Sequence, residues 1–344
     1  MKSVGDFFAL DIGTTAIRIV QLTKSGDAWN LTRYASVPVD IRISNSDSPD
    51  DQKKLGELIT TAIGQSGVRT KDVVLGIPSS RMFATVVELP DMSQQELEST
   101  IKYQADQYVP MAHDESKVDW ALIGKSPNDP SKNEVLLASV ANSFSEARLD
   151  LVEGLGLNVL AIEPESLALT RSLLPANAKG GRLIIDVGDF ATDIVMTLDD
   201  APRLIRSVPT GFNTLIKAAV QNLNIKDQQA AQFIAKFGVQ PDKLEGQIAR
   251  ALDSTMDQFI TEVAKSVKFF QNKYPNVPVG AVLISGYGAT IPGFTDYVSA
   301  KVGIPTQVAS PWQRVRVSNA DQTTLAPMST QFTVAVGLAE RVGL

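Results

Sequence analysis

Cysteine is absent from this 344-residue chain and histidine occurs once, as His113. Thiol catalysis, zinc centres and a serine–histidine relay are therefore excluded together. His113 follows Pro110-Met111 in a polar stretch and is expected at the surface. No apolar run approaches the length of a membrane span. The run near the N-terminus is cut by Asp11, has only Lys2 before it, and is too short for a signal peptide. A long basic run is also missing, and 32 basic against 38 acidic residues give a net charge of -6. Binding to a phosphate backbone usually leaves a basic footprint, so nucleic acid is a poor partner for this chain. The short basic pieces Arg203 to Arg206 and Arg314 to Arg316 are expected to be solvated strand faces.

What remains is the composition of a soluble globular protein, 44% hydrophobic and too long for one ordinary core. Two domains, or one domain duplicated, are expected. The duplication is visible in the sequence. Asp11-Ile12-Gly13-Thr14-Thr15-Ala16-Ile17-Arg18-Ile19-Val20 is echoed about half a chain later by Asp186-Val187-Gly188-Asp189-Phe190-Ala191-Thr192-Asp193-Ile194-Val195. Each window follows an apolar run and leads into another, which reads as a strand, a tight turn and a second strand. Glycine lets backbone approach a ligand closely, and the small hydroxyl residues after it offer donors to an anion. Two such turns suggest a nucleotide phosphate tail gripped between the copies.

The rest of the chain fits an α/β class. Phe7 to Asp11, Ile17 to Leu22 and Trp29 to Val39 are predicted strands, Ser44 to Gln52 an exposed loop, Leu55 to Ile63 an amphipathic helix, and Val73 to Ile77 a buried strand. An α+β unit then interrupts this pattern. It contains the strand Met82 to Leu89, a helix opened by the capping box Ser93-Gln94-Gln95-Glu96, two strands and a helix from Ser145 to Gly154. That first helix sets Leu97, Ile101, Ala105 and Tyr108 on one face, and Pro110 stops it. The mixed-sheet pattern resumes at Val159 to Ile162, so the unit is an insertion. The strand Val279 to Ser285 delivers the small residues Gly286-Tyr287-Gly288-Ala289 to a turn, a third place where backbone can lie against a flat ligand. Asp11 and Asp186 would face each other across a cleft, where paired carboxylates are costly without a cation between them. Magnesium, with its hard oxygen ligands and retained waters, suits that place.

Five segments, Asp11 to Arg18, Ile162 to Leu169, Asp186 to Ile194, Ile284 to Phe294 and Val334 to Ala339, resemble the phosphate-1, connect-1, phosphate-2, adenosine and connect-2 motifs of the actin, Hsp70 and sugar-kinase superfamily. The insertion, with Glu88-Leu89-Pro90-Asp91-Met92-Ser93 and Tyr103 to Pro110, is similar to that of the PilM family, cytoplasmic actin-like proteins of type IV pilus assembly and relatives of the cell-division protein FtsA. The resemblance covers nearly the whole chain.

It implies an actin-like ATPase fold of two duplicated domains with a 1C-type α+β insertion. Subdomain 1A would take 1–80 with 158–181 and 330–344, 1C would take 81–157, 2A would take 182–208 with 278–329, and 2B would take 209–277. It implies ATP and Mg2+ as cofactors. Asp11, Gly13, Thr14, Thr15 and Arg18 would serve the first phosphate turn, and Asp186, Gly188, Thr192, Gly211 and Asn213 the second. Gly286, Gly288 and Ala289 would lie near adenosine, and Asp11 and Asp186 would hold the metal through water. Glu163 and Glu165 are the candidate catalytic acids, placed to hold water or magnesium, and the resemblance implies at most a weak ATPase.

Arg18 stands where family members often have lysine, which keeps a cation but changes its geometry, and three further positions depart from the family pattern. Asp189 adds an acid to the second turn, while Ala231 and Ile234 stand where polar, nucleotide-facing residues are usual, and all three would reduce nucleotide affinity. The implied partner is a PilN-like inner-membrane protein whose N-terminal peptide docks on the insertion, with Tyr103, Tyr108, Val109, Pro110 and Met111 as the candidate groove. Other pilus proteins and self-association are further possible contacts, and the expected place is the cytoplasmic face of the membrane, reached through a partner. A small-molecule kinase of the same superfamily and an FtsA-like division protein are the alternatives. The first lacks an evident catalytic acid between the lobes. The second would be expected to end in a basic amphipathic helix, whereas this sequence ends Ala339-Glu340-Arg341-Val342-Gly343-Leu344.

Overall fold

The computed structural model describes residues 6–26, 28–112 and 114–342, apart from the side chains of 104–106. His113 and the side chain of Ala105, both assigned places above, lie outside the described residues. The chain opens with three antiparallel strands, β1 (Phe8–Ile12), β2 (Ala16–Ser25) and β3 (Ala28–Pro38). Helices α1 (Ile41–Ser44) and α2 (Pro49–Ser66) follow, and then β4 (Asp72–Ile77) pairs parallel to β1. Strand β1 is buried throughout, because helices cover both faces of its sheet. Phe8 and Leu10 pack with Leu55 and Ile59 of α2, while Ala9 packs with residues of the C-terminal helix on the other side.

Of the stretch Ser44 to Gln52, expected as a loop, Asn45 to Ser48 are the link between α1 and α2, and Pro49 to Gln52 are a helix start. Ser48 accepts the amide of Asp51, Pro49 occupies the first turn, and Asp50 and Asp51 lie at the positive end of the helix. Serine, proline and two acids in that order are a helix N-terminus by composition as well as by geometry.

The inserted unit comprises β5 (Met82–Pro90), α3 (Gln94–Tyr108), β6 (Ser116–Lys125), β7 (Lys132–Ala141) and α4 (Asn142–Gly154). Its strands form a separate antiparallel sheet in the order β5-β7-β6. The predicted capping box is present, with Ser93 and Glu96 exchanging side-chain and backbone hydrogen bonds. Leu97 and Ile101 of α3 pack on Val87, Val135 and Leu137, so α3 covers one face of this sheet. The first sheet resumes with β8 (Asn158–Pro164), parallel to β4, and then α5 (Glu165–Leu173).

The second half repeats the plan. Strands β9 (Gly181–Val187), β10 (Thr192–Leu198) and β11 (Ala201–Val208) form an antiparallel meander. After α6 (Phe212–Leu223), α7 (Asp227–Phe237) and the long α8 (Gln247–Lys273), β12 (Val279–Gly286) pairs parallel to β9. The chain closes with α9 (Phe294–Val302), β13 (Thr306–Val308), β14 (Val315–Arg316), α10 (Asn319–Leu325) and α11 (Thr333–Ala339). The strand orders β3-β2-β1-β4-β8 and β11-β10-β9-β12-β13 are the same order twice, with β14 added at the edge of the first sheet. Helices α5 and α11 cross closely, and a Cβ on Gly337 would collide with the Ala168 carbonyl, so glycine sets their spacing.

The basic pieces are solvated only in part: Arg316 is exposed and Arg206 half-buried, but Arg203 and Arg314 each pair with a buried acid. Arg203 on β11 is 7% exposed and its Nε lies 2.6 Å from Glu134 of β7, itself fully buried. Tyr274 donates to the same carboxylate at 2.5 Å. Around this pair Lys273 donates to the Val86 carbonyl and Asn128 to the Lys273 carbonyl. The inserted sheet is thereby fastened to the far half of the molecule. Likewise Arg314 pairs with the buried Glu340. Removing one member of a buried pair strands the other charge, at a cost of about 3–5 kcal/mol. Urea unfolding of Arg203→Met should show a loss of that order, and Arg203→Met with Glu134→Leu should recover most of it. A single variant as stable as the parent would refute the clamp.

Candidate functional site

The two hairpins meet face to face. In each, the turn glycine donates its amide to the alanine three residues on, Gly13 to Ala16 at 3.0 Å and Gly188 to Ala191 at 2.9 Å. Across the gap the Thr15 hydroxyl donates to the Asp189 carboxylate, joining one turn to the other. The cleft between them has a volume of about 140 Å³. Its wall carries Asp11, Gly13, Thr14, Thr15 and Arg18 from the first copy, Asp186, Gly188 and Asp189 from the second, and Glu165 and Gly286 besides.

Strand register explains the electrostatics. In the first hairpin Asp11 lies opposite Arg18, and in the second Asp186 lies opposite Asp193. The first pair is attractive, with Arg18 Nη1 3.6 Å from Asp11. The second sets two acids side by side, an arrangement that destabilises the charged forms. Burial, with Asp193 next and Asp11 adding, pushes the Asp186 carboxyl up to about 7 against the opposing pull of Ser285 and Arg18. Burial likewise raises Glu165 well above the usual range, reinforced by Asp11, Asp193 and Asp186. Burial raises Asp11 against Arg18, and raises Asp193 against the hydrogen bond from Ser79. Among the described residues, Asp186 Oδ1 and Glu165 Oε1 are buried without a hydrogen-bond partner.

This wall suits a hard cation with a phosphate group. Acids with free oxygens face a space large enough for a few waters of about 30 Å³ each. No group of three or more acids able to hold a metal occurs among the described residues. A cation here would keep waters or phosphate oxygens beside one or two carboxylates, which is how magnesium is commonly bound. At the other end of the cleft, Tyr287 lies on the wall beside Gly286 and stacks on Phe212 at 4.8 Å and 8°. Gly286 has φ of 62°, and a Cβ there would strike the Val187 carbonyl.

Several candidates lie off the cleft wall. Thr192 is fully buried and donates to the Thr210 carbonyl at 2.6 Å. Gly211 and Asn213 open α6, whose first amides are already taken, Phe212 by Gly188 and Asn213 by Asp189. Gly288 and Ala289 turn into the core of the second sheet. Glu163 sits away from the cleft, 2% exposed, with Arg171 at 2.6 Å on one oxygen and Arg341 on the other, which leaves it no oxygen for catalysis. Glu165 alone of that pair reaches the wall. Ile234 is core, as its departure from a polar type suggests. Asp193, Ser79 and Gln331 are on the wall and were missed. Asp193 stands in the second repeat where Arg18 stands in the first, so aligning the copies residue by residue would have found it. Ser79 donates to Asp193 at 2.7 Å and Arg18 to Gln331 at 3.3 Å, pairings that only the fold creates.

The peptide candidates are dispersed as well. Tyr103 is 83% exposed on α3, Tyr108 packs into the core beneath α3, and Val109 is buried. Pro110 and Met111 border a separate cavity of about 580 Å³ with Met82, Phe83 and Phe144. An apolar groove of about 230 Å³ lies instead against the face of the inserted sheet that α3 leaves open, walled by Ala121, Leu136 and Ala138 on one side and Ile77, Leu149, Ile162 and Leu167 on the other. The helical face of α3 was legible, but which side of the sheet it covered was not.

The family model described as type IV pilus assembly protein PilM matches residues 9–342. Over 351 residues the chain is 23% identical to the cell division protein FtsA of Borreliella burgdorferi, covering 88% of this chain and 84% of that protein. Among solved structures, the PilM-PilN type IV pilus biogenesis complex is similar with a TM-score of 0.82 and 20% identity over 97% of this chain and 98% of that one. MreB5 of Spiroplasma citri bound to ADP is similar with a TM-score of 0.51 and 13% identity, covering 96% and 94%. The fold is that of the actin-like ATPases.

The raised Asp186 carboxyl has a consequence for stability. Between its ordinary value of 3.8 and about 7 the folded protein holds a proton that the unfolded chain has lost. That contribution is complete below the lower value and fades as pH rises through the upper one. Unfolding followed between pH 4 and 8 should show stability falling with pH, by at most one proton's slope from this group, and Asp186→Asn should flatten that slope. An unchanged slope in the variant would place the proton elsewhere.

Proposed function

The chain belongs to the type IV pilus assembly PilM family, and from that membership we propose that it is a scaffold binding the N-terminal peptide of a PilN-like inner-membrane protein in the apolar groove of the inserted sheet. The observation that carries this reading is the groove itself, which is apolar, open, and bounded by the insertion on one side and the first sheet on the other. Peptide-binding grooves commonly combine such walls with a few polar groups at the rim. A PilN chain in the solved complex of similar fold supports the choice of partner. No helix among the described residues is long and apolar enough to cross a membrane, so this reading places the protein at the cytoplasmic face of the membrane through its partner.

The cleft is assigned to the phosphate end of Mg-ATP. Asp11 and Asp186 would hold Mg2+ through water, and Thr14, Thr15, Arg18 and the Gly188 turn would bind phosphate oxygens. The metal would supply positive charge to a wall rich in acids. The chain's own part is to align two hairpins and to bury their carboxylates. Asp189, occupied by Thr15, would have to yield for the phosphates to enter. In this reading the nucleotide is a ligand that sets the spacing of the two halves, with no turnover required.

Two measurements test these assignments. Calorimetric titration with a synthetic N-terminal peptide of the PilN-like protein should give binding that Ala121→Arg, an exposed position in the groove, weakens at least tenfold, while Tyr108→Ala leaves affinity within about twofold. The opposite ranking would return the site to the α3 side. Fluorescent ATP should bind, and Thr14→Ala with Arg18→Ala should weaken it at least tenfold, since removing a charged hydrogen-bond partner costs about 1.5–3 kcal/mol. Equal affinity in parent and variant would remove the phosphate assignment.

A further inference from the structure

Resting on the peptide reading above, we propose that the partner segment binds as an added β-strand, pairing its backbone with the free edge of β6 along Lys117 to Ala121. The inserted sheet has the order β5-β7-β6, so β6 pairs with β7 on one side and, among the described residues, with no strand on the other. It runs for 10 residues, long for an edge, and edges of that length present a row of unpaired amides and carbonyls.

The groove and this edge coincide. Five consecutive residues, Lys117 to Ala121, line the groove. Side chains of a strand alternate between faces, so a lining that includes every residue in turn means that the strand's backbone edge borders the space. In an antiparallel pair the amide and carbonyl of alternate residues point away from the partner strand. The Trp120 amide identifies which residues these are. It donates to the side chain of Asp119 at 2.8 Å, so it points away from β7, and the amide of Val118 two residues back shares its direction. Asp119 thus folds over the edge and occupies one of the two outward donors, the Trp120 amide, which an incoming carbonyl would take over.

The occupant follows from this edge. An extended segment of about five residues, some 17 Å long, would exchange backbone hydrogen bonds with Val118 and Trp120. Its alternate side chains would enter the apolar wall of Ile77, Leu149, Ile162 and Leu167. Backbone pairing supplies register, and apolar side chains at every second position supply selectivity, which is the usual division of labour in strand addition. A helical peptide, whose amides bond internally, would leave the edge unsatisfied.

The experiment uses the intact chain and a synthetic 15-residue N-terminal peptide of the PilN-like protein. Calorimetry is run with the native peptide and with two versions backbone N-methylated at odd or at even residues. One methylated version should lose at least tenfold in affinity while the other stays within about twofold. Val118→Pro, which removes an outward amide and leaves the β7 ladder intact, should lose at least tenfold. Amide exchange at Val118 should slow at least tenfold in the complex. If the native peptide binds but both methylated versions bind as well as it does, and Val118 exchange is unchanged, strand addition is overturned and the groove assignment stands. No heat with the native peptide overturns both. The methylated peptides act on the native protein, so the result does not depend on the proline variant folding.

Discussion

Charge imbalance across the paired hairpins is the constraint on which the centre of the molecule depends. The same turn is built twice, but the position opposite the first acid is Arg18 in one copy and Asp193 in the other. The first hairpin neutralises itself. The second cannot, so the Asp186 carboxyl is pushed up to about 7 and burial beside the other acids raises Glu165 as well. A buried carboxylate is tolerated when it is paired, protonated or near a cation, and the cleft shows the first two solutions side by side. Asp11 is buried in the cleft wall, while Asp186, Asp193 and Glu165 are half-buried beside it.

The inserted sheet divides its surfaces among three tasks. One face forms a small core with α3, the opposite face lines an apolar groove, and β7 carries Glu134 to the clamp with Arg203 and Tyr274. A sheet of only three strands has little core of its own. Its stability must come in part from its neighbours, and the buried ion pair supplies a specific anchor where a larger apolar surface is lacking.

Local chemistry made much of this legible. The acid-glycine turns, the capping box of α3 and the insertion itself follow from spacing and from residues with fixed conformational habits. Errors arose where the deciding contact is distant in sequence. Glu163 looked catalytic from its place after a strand, yet Arg171 and Arg341 occupy both of its oxygens. Thr192 looked like a phosphate donor, yet its hydroxyl serves Thr210 inside the hairpin. Arg203 looked solvated because its partner lies in the insertion. The start of α2 was a different kind of miss, since Ser48, Pro49, Asp50 and Asp51 carried the signal locally and their polarity was read as a loop.

The clamp also has a topological meaning. The inserted sheet is joined to the first large sheet by chain at both ends, at β4 and at β8, and to the second by Arg203, Glu134 and Tyr274. With the direct contacts between the hairpins, these links close a ring of three bodies. In a ring no hinge turns alone: a rotation between the two large sheets must be matched at the connectors of the third or must break a desolvated ion pair. The molecule is therefore braced as a truss is, and its few soft degrees of freedom are shared by all three parts.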